Sequence, residues 1–125
     1  MDRAILLVDS DLGFLLWLGQ ALHEAGFQAY PAESLSDAVA LVGELRLTLG
    51  VLILNCSSRG AESFLATLRS SQKYFKTICL DGDRHPPYVG GVDRVYRKPV
   101  EINEESKGLW VQAVRALLLG NCKAS

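Results

Sequence analysis

The sequence predicts a single doubly wound α/β domain built on a five-stranded parallel sheet. Two short runs, Ala4 to Val8 and Val51 to Leu54, are apolar without interruption, as strands covered on both faces are. Between the strand-like runs, apolar residues recur at spacings of three and four, the stripe of a core-facing helix. Strand and helix alternate along the chain. Parallel neighbours need right-handed crossovers, so such alternation places helices on both faces of the sheet.

The first strand, Ala4 to Val8, is stopped by Asp9-Ser10-Asp11. Phe14, Trp17, Leu18, Ala21, Leu22 and Ala25 then form the inner stripe of the first helix, which Gly26 closes. Phe27 to Tyr30 is a short second strand ended by Pro31. Ser34, with Asp37 three residues on, is a variant capping box opening a second helix, whose inner face is Ala38, Leu41, Val42 and Leu45. Val51 to Leu54 is the third strand, and Asn55 to Gly60 is the loop leaving its end. A third helix, about Ala61 to Arg69, turns Phe64, Leu65 and Leu68 inward. Thr77 to Leu80 and Val92 to Tyr96 are the fourth and fifth strands. The last helix runs from about Ser106 to Leu119, with Trp110, Ala113, Val114 and Leu117 on one stripe. Residues 81–91 hold Pro86, Pro87 and three glycines, so a helix between the last two strands is short, broken or missing.

At 125 residues the chain fits one domain, 1–125, with no internal boundary. A net charge of −1 and 22% charged residues give no electrostatic footprint for nucleic acid, and no basic run suggests a membrane surface. No apolar stretch is long enough to span a bilayer, and the first residues lack a secretory pattern. A cytoplasmic location is the expectation. Cys56, Cys79 and Cys122 make an odd count with no metal-ligand spacing. Cys56 and Cys79 lie near adjacent strand ends and could approach each other, but free thiols are the expected state. His23 and His85 are read as a surface helix residue and a loop residue, Trp17 and Trp110 as core.

In open α/β sheets, chemistry collects where the C-terminal ends of strands meet their loops. Those ends carry Asp9, Ser10 and Asp11, then Asn55, then Asp81, then Lys98 and Pro99. With "ILLVDSD" opening the domain, "HEAGF" ending the first helix, "VLILN" at mid-chain and "RKPV" after the fifth strand, the chain resembles the receiver domain of two-component response regulators. The resemblance covers almost the whole chain. It implies a flavodoxin-like strand order of 2-1-3-4-5, two acidic Mg²⁺ ligands after strand one, a phosphoacceptor aspartate after strand three, a hydroxyl after strand four and a Lys-Pro after strand five.

Asp9 matches the first acidic position, but Ser10 stands at the second and Asp11 is placed to cap the first helix. Asn55 occupies the phosphoacceptor position and Asp81 the hydroxyl position, while Lys98 and Pro99 match. The amide of Asn55 is a poor nucleophile. Mg²⁺ favours carboxylate ligands, of which Asp9 alone remains at a matched position, so no cofactor and no bound metal are expected. Asp81 adds negative charge where phosphoryl oxygens would sit. Lys98 is expected to form a lasting ion pair with Asp9, Asp81 or both. The aromatic relay position is Val95, with Tyr96 one residue off and on the opposite face of its strand.

The implied function is a receiver-like, non-enzymatic module that regulates through protein contacts without phosphorylation, standing alone or as the N-terminal piece of a longer regulator. A working phosphorelay receiver with a degenerate site, using Asp9 or Asp81 as acceptor, is the alternative. A nucleotide binder on the same fold would want a Gly- or Ser/Thr-rich cradle where Asp9-Ser10-Asp11-Leu12 is acidic. Leu12, Leu15, Leu16 and Gly19 fall outside the first helix's core stripe. They form a surface for a protein partner or a second copy, or Leu15 and Leu16 are covered by the last helix.

Overall fold

In the computed structural model the chain runs β1 (Ala4–Val8), α1 (Leu12–Glu24), β2 (Gln28–Ala32), α2 (Leu35–Leu45), β3 (Leu49–Asn55), α3 (Ala61–Ser71), β4 (Lys76–Asp81), β5 (Arg94–Arg97) and α4 (Glu104–Leu119). The structure describes residues 3–56, 59–72, 74–81, 92–97 and 102–119, with Asp81 and Leu119 described by backbone alone. The expectations for 82–91, His85, Lys98, Pro99 and Cys122 lie outside those residues. The strands form one sheet in the order β2-β1-β3-β4-β5, and all four pairings are parallel. This is the predicted flavodoxin-like order.

Alternation along β1 builds two cores. Ala4, Leu6 and Val8 point to one face, with Leu52, Leu54 and Cys79, and meet Ala38 of α2 and Phe64, Leu65 and Leu68 of α3. Ile5 and Leu7 point to the other, with Val51, Ile53, Ile78 and Leu80, and meet Phe14, Leu18 and Leu22 of α1 and Trp110, Val114 and Leu117 of α4. A strand covered on both sides has no position left for a polar side chain, which is why β1 and β3 read as unbroken apolar runs.

Helix ends follow local chemistry. Asp11 Oδ1 accepts from the Phe14 amide at 3.1 Å, and Ser34 Oγ from the Asp37 amide at 3.1 Å, as expected of N-caps. Gly26, at φ 97°, takes the left-handed turn after α1. The last helix begins two residues earlier than predicted, because Asn103 caps it. The Asn103 carboxamide oxygen accepts from the Ser106 amide at 2.9 Å, and the Ser106 hydroxyl accepts from the Asn103 amide at 3.1 Å.

Several expectations are corrected. β2 continues through Pro31 to Ala32. Ala32 turns its carbonyl toward β1, accepting from the Asp9 amide at 3.2 Å, so Pro31 faces the open edge, where a missing N–H costs no ladder bond. Leu45 is exposed, because α2 packs over β2 and β1 at the sheet margin and its inner stripe is only partly covered. Leu15 is fully buried, and a Cβ built on Gly19 would touch Leu7 Cδ1 at 3.6 Å, so both belong to the sheet-facing side of α1. Helix α1 is covered by α4 as well as by the sheet, which widens its buried arc beyond the predicted stripe. Only Leu12 and Leu16 of the expected outer group are exposed. Trp17 is half-buried at the rim, against Phe14.

The register between β1 and β3 slips at Gly50, where Ala4 pairs with Leu49 and Ile5 with Val51. A Cβ at Gly50 would lie 2.6 Å from Leu118 Cδ2 and 2.8 Å from Arg3 Cβ. The bulge therefore needs glycine so that α4 and the start of β1 can close over it. At the foot of the sheet, Gln72 donates to the Leu47 carbonyl at 2.9 Å and accepts from the Leu49 amide at 2.8 Å. Among the described residues no helix is long and apolar enough to cross a membrane.

Candidate functional site

The sheet order places β1 and β3 side by side, and their register sets Val8 against Leu54. The next residues up, Asp9 and Asn55, are therefore neighbours at the C-terminal end of the sheet. Asp9 is only 1% exposed, and its backbone N–H extends the ladder to β2 by one step. Burying a carboxylate is costly unless donors surround it. Asn55, half-buried at the end of β3, supplies one: its Nδ2 donates to Asp9 Oδ1 at 2.8 Å. A carboxylate can only accept, so the carboxamide must turn its NH₂ group toward Asp9.

This contact bears on a cation. Asn55 presents an N–H, and not a ligating oxygen, to Asp9 Oδ1. Ser10, the next residue after Asp9, is exposed and uncharged. The donor set of Asp9, Ser10 and Asn55 thus offers one carboxylate, with an N–H aimed at it, and fits Mg²⁺ poorly.

Beside the pair opens a cleft of about 260 Å³ lined by Asp9, Ser10, Glu33, Ser34 and Arg59 among others. Glu33 was not among the sequence-predicted site residues. It follows β2 directly, and applying the strand-end rule to the second strand would have found it. Arg59, exposed at the end of the loop leaving β3, faces the same cleft. Asp81 ends β4 one register step beyond Asn55, opposite Arg97. Its side chain, like Lys98 and Pro99 just after β5, lies outside the described residues, and so does the expected ion pair.

Val95 is exposed, while Tyr96 turns to the α4 side and meets Trp110 edge-on at 5.5 Å between ring centres. The two therefore lie on opposite faces of β5, as alternation requires. Cys56 and Cys79, expected as free thiols, are joined as a disulfide. Cys79 stands opposite Leu54 in the ladder, and Cys56 falls on the same face two residues later, so both sulfurs enter one core. Side-by-side strand ends make this approach legible; the oxidation state was not.

No family model matches the chain. It is 31% identical over 81 residues to the photosynthetic apparatus regulatory protein RegA of Rhodobacter capsulatus, a match that takes in 65% of this chain and 44% of RegA. The chain thus spans less than half the length of that relative. Among solved structures, a response regulator from Thermotoga maritima superposes with a TM-score of 0.70 at 15% identity, covering 94% of this chain and 98% of the other. A chain of the complex between the histidine kinase ThkA and the response regulator TrrA gives a TM-score of 0.66 at 21% identity, covering 93% and 98%. With its five parallel strands in the order 2-1-3-4-5, the chain has the fold of response-regulator receiver domains.

Proposed function

We propose that this chain is a receiver-fold regulatory module of a two-component-type pathway that signals by protein contact, without accepting a phosphoryl group. The hydrogen bond from Asn55 to Asp9 carries this reading. It puts a neutral amide where the fold's phosphoacceptor carboxylate belongs, and it uses that amide to satisfy the carboxylate that would otherwise hold a cation. Asp81, Lys98 and Pro99 belong to the pocket in this proposal on the strength of the sequence motif alone. The module needs no metal or cofactor and is no enzyme. It works inside the cell, where the kinases and regulators of such pathways meet.

The partner is a protein of the same signalling class. The ThkA–TrrA complex supports that choice, since a chain of similar fold is there bound to a histidine kinase or its regulator. The exposed Leu12 and Leu16, on the turns of α1 nearest the pocket, are the proposed first-helix contribution.

Incubation with acetyl phosphate and Mg²⁺, followed by intact mass, tests the central claim. The expected result is an unchanged mass under conditions that phosphorylate an ordinary receiver run in parallel. A phosphoryl adduct on Asp9, Asp81 or any other carboxylate would instead make the chain a working phosphorelay receiver.

A further inference from the structure

We propose that Cys56 and Cys79 form a reversible thiol–disulfide site whose redox state sets the position of Asn55, giving the module an input that does not depend on phosphate. The site is independent of whether the pocket can be phosphorylated.

The geometry shows that the chain turns where the bond is made. Cys79 lies directly across from Leu54 in the β3–β4 ladder. Two residues along an extended strand rise about 6.6 Å, and neighbouring strands lie about 4.8 Å apart. A straight continuation of β3 would therefore hold the Cα atoms of Cys56 and Cys79 about 8 Å apart, beyond the reach of a disulfide. They are 5.5 Å apart. The chain leaves the strand path at Cys56 and bends toward β4 immediately after Asn55, the residue that donates to Asp9. Reduction releases this bend one residue from the site's central hydrogen bond.

Both cysteines are almost wholly enclosed, at 1% and 3% exposure, in the core shared with α2 and α3. Cys79 sits within a strand paired on both sides, whereas Cys56 lies just past the end of β3, so exchange begins at Cys56. The co-reactant is a small disulfide or dithiol. In oxidation, the Cys56 thiolate attacks one sulfur of the small disulfide and expels one thiol, leaving a mixed disulfide. The Cys79 thiolate then attacks the Cys56 sulfur and expels the second thiol. Two protein thiols and one small disulfide become one protein disulfide and two small thiols, with two electrons passing to the co-reactant. Reduction by a dithiol reverses both steps. Disulfides in reducing compartments are usually transient or redox-sensing, which fits a pair placed beside a regulatory site.

The test uses the full chain, equilibrated across glutathione redox buffers, quenched with a thiol-alkylating reagent in denaturant and mapped by peptide mass. The chain has three cysteines, so the expected labelling rises from one per chain, at Cys122, to three as the buffer becomes reducing. The side-chain amide signals of Asn55, followed by NMR, should move in step with labelling and return on reoxidation. Cys56→Ser and Cys79→Ser should abolish that dependence, while Cys122→Ser should retain it. The wild-type titration stands even if the first two variants fold poorly. Labelling of both Cys56 and Cys79 in the oxidised protein would overturn the proposal. So would Asn55 signals indifferent to reduction, or a chain that unfolds outright once reduced, since either leaves the bond a purely structural staple.

Discussion

The Asn55 carboxamide donates to the Asp9 carboxylate at 2.8 Å, joining the ends of two adjacent strands at the top of the sheet. The contact works only because one partner is neutral. Replacing Asn55 with aspartate would set two carboxylates against each other at about 3 Å, a repulsion of roughly 5 kcal/mol at an effective dielectric near 20. Some of that is relieved by protonation, by side-chain movement or by a captured cation.

The first prediction follows from that balance. Asn55→Asp should lower stability by about 2–4 kcal/mol in chelator, read from the denaturant midpoint. Millimolar Mg²⁺ should then restore much of the loss in the variant by binding the folded state, and leave the wild type unmoved. A wild-type protein stabilised by Mg²⁺, or a variant as stable as the parent in chelator, would contradict the role given to this hydrogen bond.

Leu15 and Leu16 are adjacent in sequence and opposite in consequence, at 0% and 56% exposure. Leu15→Ala removes side-chain volume from the core shared by α1, α4 and the sheet, and should cost about 2–5 kcal/mol. Leu16→Ala should change stability by no more than about 0.5 kcal/mol. If Leu16 belongs to a partner surface, Leu16→Glu should weaken capture of that partner while the monomer's thermal midpoint stays put. Equal destabilisation by the two alanine variants would mean that the helix is rotated from the position described.

That pair also marks where sequence reading ran out. The alternation of elements and the Asp11 and Ser34 caps were legible, because each depends on local pattern or local chemistry, while the strand order came with the resemblance. The arc of α1 that faces inward was not, since its width depends on α4 lying beside it. The strip ending at Gly19 looked like an outer surface, yet a glycine carries no hydrophobicity signal, and here it marks close approach to Leu7. At the site, the identities of Asp9 and Asn55 were plain. Their direct hydrogen bond required the β1–β3 register, and the pairing of Cys56 with Cys79 required the turn that leaves β3.

Gly50 offers a test of the fold itself. The built Cβ would meet Arg3 Cβ at 2.8 Å, and that atom, unlike a side-chain tip, cannot swing aside without moving backbone. Gly50→Ala should therefore destabilise by about 1–3 kcal/mol, against the usual stabilising effect of replacing glycine in the unfolded chain. Shortening Leu118 to alanine should recover only part of the loss, because Arg3 remains in the way. Full recovery in the double variant, measured by denaturant titration, would place the conflict in α4 alone.

The last prediction concerns the ion pair that ties α1 to α4. Lys107 Nζ donates to Glu24 Oε1 at 2.9 Å and lies 3.7 Å from Glu104 Oε1. The hydrogen bond from Lys107, followed by its charge, holds the Glu24 carboxyl below its ordinary value of 4.5. The hydrogen bond to Glu24, followed by the charges of Glu104 and Glu24, holds the Lys107 ammonium above its ordinary 10.5. For the depressed carboxyl, the stabilising contribution is complete above its unfolded-state value and is lost as pH falls through the folded one. For the raised ammonium it is complete below its unfolded-state value and is lost as pH rises through the folded one. The pair therefore supports the helix contact across neutral pH and fails at both ends. Lys107→Met should be less stable than the parent near neutrality in low salt, by a small margin because both groups face solvent. That margin should vanish at about pH 2, where the carboxyl is protonated, and shrink in about 1 M salt, where exposed charges are screened. A margin that persists unchanged in acid and in salt would show that Lys107 supports α4 through its methylene stem, packed along the α1 surface, and not through its charge.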